Sequence, residues 1–210
     1  MSDASASCEI VRPKLHHFGL TTANLEAMLN WYGKVLGMTP NHQTSKPMGS
    51  KGPSGIRVAW VSNDEANHRI AIVELRGLVD DSQRTHHRRL QHVAFQFRTV
   101  DDLLSTYARL KRLGIEPVLT ADHGATTGFY YEDPDRNSVE LLADNFGDYR
   151  KSTEYLRTSS EFAANPMGAY VDPDAMIAAR AAGASVEELH RRAYAGDFPP
   201  SKPMDPRILL

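Results

Sequence analysis

Leu15-His16-His17-Phe18-Gly19-Leu20 and Leu90-Gln91-His92-Val93-Ala94-Phe95 are two versions of one phrase, an apolar β-type run that opens on histidine. The segments downstream of the two runs are also alike. After the first, Leu25, Met28, Leu29, Tyr32 and Leu36 fall at helical spacing, with Asn24 or Thr22 available as a cap and Gly37 as the stop. After the second, Leu103, Leu104, Tyr107, Leu110 and Leu113 keep that spacing behind Thr99 or Asp101, and Leu113-Gly114 closes the helix. Short strands complete each half: 55–62 and 69–75 in the first, then 116–119, 128–132 and 138–142 in the second. The order predicts two tandem βαβββ modules, over 13–80 and 88–146, in an α+β fold whose strands build one curved mixed sheet.

Period-two alternation predicts which side chains share a face. Val93, Phe95 and Phe97 point to the helix, and His92, Ala94 and Gln96 point away from it. Phe18 and Leu20 match the first set, and His17, Gly19 and Thr21 the second. Glu140, between Val139 and Leu141, shares its face with Ser138 and Leu142. His17, His92 and Glu140 can therefore line one concave face, whereas His16 falls on the other. A lone strand histidine is usually structural. Two at matched positions of a repeat, joined by a carboxylate in an apolar run, need a shared partner. Two imidazoles and one carboxylate suit a divalent transition ion and leave coordination positions open.

The bulk properties narrow the classes. At 210 residues, with 41% hydrophobic and 24% charged content, the chain reads as an ordinary globular protein. A net charge of -2 gives no case for nucleic acid. No segment approaches the roughly 18 apolar residues that span a bilayer. The start, Met1 to Ser7, does not read as a signal peptide, and Cys8 alone forms no internal disulfide, so a cytoplasmic location is expected. Residues 1–12 read as a flexible arm. Beyond 146 the character changes: 149–162 is polar and mixed, Asn165-Pro166 and Asp172-Pro173 are breaks, and 174–182 and 186–194 read as short helices. The stretch 147–210 is expected to be a helical extension packing on the core, on a partner subunit or over a pocket mouth.

The doubled unit with His17, His92 and Glu140 resembles the vicinal oxygen chelate superfamily, which includes glyoxalases, epimerases, fosfomycin- and bleomycin-resistance proteins and type I extradiol ring-cleavage dioxygenases. The resemblance covers 13–146. Within it, the stretch from His123 through Phe129-Tyr130 and the Asp133-Pro134 turn to Glu140 is similar to the extradiol dioxygenase signature, with Arg136 where that pattern has Gly or Pro. His68-Arg69-Ile70-Ala71 resembles the same family's other active-site histidine, and its distance from His92 implies an inserted loop over 77–88. The resemblance implies an Fe(II) site, with Mn(II) as a substitute, held by His17, His92 and Glu140. It implies a catecholic substrate cleaved with O2, with His68 as acid/base and with His123 and Tyr130 bonding to substrate. It also implies that a homo-oligomer or the extension closes the pocket, with the loop 47–55 as a wall. Trp60 reads either as a further wall or as a core tryptophan. Two rivals stay open. Glu74, in Ile72-Val73-Glu74-Leu75, mirrors Val139-Glu140-Leu141 and as an additional ligand would give a glyoxalase- or epimerase-type isomerase or lyase. The other is a small-molecule (antibiotic) binding or resistance protein. His42, His86, His87 and His190 read as solvated.

Overall fold

A computed structural model describes residues 10–44 and 55–206. Most of the N-terminal arm with Cys8, residues 47–54 of the loop named as a pocket wall, and 207–210 lie outside the described residues. The chain divides into two compact units, 1–78 and 79–210. Among the described residues no helix is long and apolar enough to cross a membrane.

The first unit runs β1 (Phe18–Thr22), α1 (Leu25–Leu36), β2 (Thr39–Gln43), β3 (Arg57–Ser62) and β4 (Ile70–Glu74). Its sheet has the order β1-β4-β3-β2, with β1 parallel to β4 and the other pairs antiparallel. Leu25, Met28, Tyr32 and Val35 make one buried stripe on α1, which packs on β3 and β4 over Ala59, Val61, Ile70 and Ile72. Burial of each large side chain contributes about 1.5–3 kcal/mol, which outweighs the weak propensity of so short a helix. Asn24 caps α1 by accepting from the Ala27 amide at 3.0 Å, and Gly37 ends it at a φ of 67°.

The second unit repeats the order with β5 (Val93–Phe97), α2 (Val100–Arg112), β6 (Leu119–Asp122), β7 (Thr126–Glu132) and β8 (Ser138–Asp144). The sheet order is β5-β8-β7-β6 with β9 (Ala169–Tyr170) added at the edge, and β5 is parallel to β8 as β1 is to β4. Thr99 caps α2, whose Leu103, Leu104, Tyr107 and Leu110 are buried. The α+β class and doubled βαβββ order are as read from the sequence. The strands form two mixed sheets, one in each unit, where the sequence reading drew one.

Other differences are local and have causes. β1 and β5 begin at Phe18 and Val93, so His17 and His92 each stand one residue before their strand. β2 was not expected, because Thr-Pro-Asn-His-Gln is polar and fully exposed, and Pro40 belongs on an edge strand with a register shift beside it. The strand expected over 116–119 is found as Leu119–Asp122. α3 (Tyr149–Thr158) buries only Ser152 among its residues and has no apolar stripe to announce it.

The extension belongs to the second unit. After α3 come α4 (Ser160–Ala164), β9, α5 (Pro173–Ala181) and α6 (Val186–Tyr194). α5 packs on α2, where Arg180 donates to both oxygens of Asp101 at 2.8 and 2.7 Å and the Tyr107 hydroxyl donates to Asp174 at 3.1 Å.

Arg136 stands where the signature has Gly or Pro, and its backbone conformation accounts for the glycine. In the turn between β7 and β8 it adopts a φ of 64°, the only positive φ among the described non-glycine residues. An L side chain there costs about 1–2 kcal/mol, partly offset because glycine loses more backbone entropy on folding. Arg136→Gly should therefore raise the unfolding free energy by about 0.5–1 kcal/mol, read as a higher urea midpoint at unchanged slope.

Candidate metal and substrate site

In the second unit the ladder puts Glu140 mid-sheet, paired with Ala94 on β5 and with Tyr130 on β7. Its side chain is only 5% exposed, and such a carboxylate needs partners. His92, two residues before Ala94 and on the same face, brings Nε2 to 3.1 Å from Oε2 of Glu140. Gly128 makes room on the other side: a Cβ there would fall 2.2 Å from Oε1 and 3.1 Å from Cδ of Glu140. Nitrogen and oxygen donors about 3 Å apart match neighbouring ligands of an ion bound at about 2.0–2.2 Å. The donor types, their convergence and the glycine cradle fit a divalent metal.

Beside this pair the Tyr130 ring stands edge-on to His92, with centroids 5.5 Å apart. The Tyr130 oxygen lies 3.0 Å from Nε2 of His123, whose Nδ1 lies 2.8 Å from the carbonyl oxygen of Met167. Burial first, and the nearby Glu140 carboxylate second, push the Tyr130 phenol far above its ordinary pKa, so it stays a hydroxyl. His92, Glu140, Tyr130 and His123 thus form one connected row.

The first unit gathers His17, His68 and His16. The His17 and His68 rings are 4.2 Å apart and the His16 and His68 rings 5.3 Å, and one nitrogen from each of the three lies within 4.8 Å of the others. Desolvation, then the neighbouring His17 and His16, push His68 below the usual imidazole value. His16 reaches Nδ1 of His17 at 2.9 Å. Strand alternation does not extend to residue 16, so the expected opposite face for His16 does not hold. Trp60 is 38% exposed and stacks on His42 with centroids 4.8 Å apart. Trp60 is therefore not a core residue, and His42 is exposed as expected while its ring packs on Trp60.

Glu74 takes a structural role. Its Oε2 accepts from the Leu25 amide at 2.8 Å and faces Arg57 at 3.4 Å, which ties the end of β4 to the start of α1. The ladder also corrects the proposed mirror. Gly19 pairs with Ala71 as Ala94 pairs with Glu140, so Ala71 occupies the position of Glu140 in the first unit. Glu74 lies three residues further, on the helix-facing side with Ile70 and Ile72. Glu74→Ala should lower stability by about 1–2 kcal/mol, mainly through the unpaired Leu25 amide since Arg57 keeps Glu26, while bound metal per chain stays unchanged. Metal analysis beside a denaturant titration checks both.

The sequence reading passed over three participants. His190, expected to be solvated, has a side chain 15% exposed and places Nδ1 2.8 Å from Oδ2 of the fully buried Asp122. Sixty-eight positions separate the two, and no local pattern signals the contact. The Met167 carbonyl is backbone and carries no signal in the side-chain sequence. Gly128 did carry one, as an isolated glycine inside a strand.

Against known proteins, residues 14–141 match the family model of the Glyoxalase/Bleomycin resistance protein/Dioxygenase superfamily. Biphenyl-2,3-diol 1,2-dioxygenase 2 of Rhodococcus globerulus is 34% identical over 198 residues, covering 94% of this chain and 97% of that protein. Biphenyl-2,3-diol 1,2-dioxygenase 3 of the same organism is 36% identical over 185 residues, 88% of this chain and 91% of that one. A lactoylglutathione lyase of Neisseria meningitidis is 30% identical over 139 residues, 64% of this chain. Among solved structures, a glyoxylase/bleomycin resistance protein/dioxygenase domain from Frankia sp. EAN1pec aligns with a TM-score of 0.52 at 18% identity, over 67% of this chain and 98% of that one.

Proposed function

We propose, from the premise that this chain belongs to the Glyoxalase/Bleomycin resistance protein/Dioxygenase superfamily, that it is an extradiol dioxygenase. It opens a catecholic ring next to the vicinal hydroxyls and places both atoms of O2 in the product, with no external reductant. The observation that carries this reading is the connected row His92, Glu140, Tyr130 and His123, in which a metal-competent pair adjoins two hydrogen-bonding groups. The likeness to the two Rhodococcus dioxygenases supports it, since it runs through the extension, whereas the lyase matches a smaller share of the chain.

In this reading His17, His92 and Glu140 hold Fe(II), with Mn(II) as a substitute suited to the same imidazole and carboxylate donors. An ion held by these residues would supply Lewis-acid and electron-transfer capacity to a catechol and O2. The chain's own groups manage position and protons. Tyr130, oriented by His123, holds a substrate oxygen by a hydrogen bond, and His68 accepts and returns a proton near the reacting oxygens. The layout is a vicinal oxygen chelate domain over 13–146 with the helical extension 147–210, in a cytoplasmic homo-oligomer.

The test is anaerobic reconstitution with Fe(II), then a panel of catechols with and without air. O2 uptake and a yellow ring-opened product, each requiring both iron and air, are the expected result. Bound metal with no O2 uptake across the panel would instead favour a lyase or isomerase.

A further inference from the structure

Three features of the C-terminal extension converge on the loop that carries His123. The Met167 carbonyl oxygen lies 2.8 Å from Nδ1 of His123. Next to it Ala169 and Tyr170 pair with Asp122 and Ala121, which makes the extension the edge strand of the sheet. From α6, His190 meets one oxygen of buried Asp122 at 2.8 Å, and the Gly124 amide and the Asn145 side chain donate to the other at 2.8 and 3.1 Å. A fully buried carboxylate so bonded pins the backbone on both sides of His123.

Gly168 permits the approach. A Cβ at that position would fall 1.8 Å from the Asp122 carbonyl oxygen and 2.7 Å from the His123 Cα, and its φ is +76°. Neither the distance nor the backbone conformation admits a side chain.

The chemistry of the contact is directional. A carbonyl oxygen only accepts, so Nδ1 of His123 carries the proton. In a neutral imidazole Nε2 is then an acceptor. At 3.0 Å it draws the proton of the Tyr130 hydroxyl to itself and away from the other acceptor in reach, the Glu140 carboxylate. A hydroxyl turned this way keeps its lone pairs for a donor on the substrate. We propose that the extension is a positioning element of the site: the Met167 carbonyl, brought in by Gly168, fixes the Nδ1–H tautomer of His123 and so orients the Tyr130 hydroxyl. The proposal rests on the reading of Tyr130, with His123 behind it, as the group that meets substrate.

The test is long-range 1H–15N spectroscopy of the histidine side chains in the full-length, EDTA-treated protein, well above the imidazole pKa. The His123 signals are assigned by their loss in His123→Gln. Wild type should show protonated Nδ1 and bare Nε2; the reverse pattern overturns the proposal. Tyr130→Phe should keep the wild-type pattern, because the carbonyl sets it. A switch on losing the hydroxyl would give control to Tyr130 and also overturn the proposal. Gly168→Ala should mix the two tautomers and lower kcat of the iron-loaded enzyme by about 10–100-fold, as loss of a supporting contact does elsewhere. A folded Gly168→Ala with the wild-type spectrum and kcat overturns the proposal, and if that variant does not fold the other two spectra decide. Wild-type protein that shows the expected tautomer yet cleaves no catechol would sink the dioxygenase reading while upholding the hold of Met167 on His123.

Discussion

His92→Ala is expected to yield a chain that loses its metal on gel filtration and consumes no O2 with any catechol. His92 is the nitrogen donor 3.1 Å from the Glu140 carboxylate, and its removal leaves that carboxylate buried without its imidazole partner. Gly128→Ala provides the finer companion, since it touches no ligand type. The added methyl would start 2.2 Å from Oε1 of Glu140, well inside contact distance, so the carboxylate must swing away. Metal affinity should fall by about 10–100-fold, with turnover partly recovered at saturating Fe(II). Anaerobic titration with Fe(II) reads the affinity, and denaturant unfolding separates it from a folding defect. A folded Gly128→Ala that binds metal as tightly as wild type would remove Glu140 from the ligand set.

How far the sequence could lead to this site depends on which kind of information each residue carries. Leu25, Met28 and Tyr32 recur at the helical period and Asn24 and Gly37 bracket them, so α1 was legible from local pattern alone. The same holds for α2 behind Thr99. Period also placed Val93, Phe95 and Phe97 on one face, and all three are more buried than Ala94 and Gln96 between them. Register is different in kind. The triplets Val73-Glu74-Leu75 and Val139-Glu140-Leu141 look alike, but their offsets along the parallel ladder differ by three residues, and an odd offset exchanges the faces. Glu140 lies between Ala94 and Tyr130, while Glu74 holds the start of a helix. The Met167 and His190 contacts lie beyond reach for another reason. They span 44 and 68 positions, and only the folded extension brings them to the His123 loop.

The second large effect is expected at His123. His123→Ala should retain wild-type metal content and lose kcat by about 10²–10⁴-fold, the range that a positioned proton-handling group contributes. The split comes from the geometry. Its Nε2 contacts the Tyr130 hydroxyl and its Nδ1 the Met167 carbonyl, so removal leaves the His92 and Glu140 pair in place. What is lost is the acceptor that turns the Tyr130 hydroxyl away from the Glu140 carboxylate, its other partner. Tyr130→Phe should therefore resemble His123→Ala in kcat, and the double variant should be little worse than either single one, because the two act through one hydrogen bond. Steady-state O2 uptake with iron measured per chain checks all three variants. Independent, multiplicative losses would separate the two residues, and full turnover in His123→Ala would exclude His123 from the chemistry.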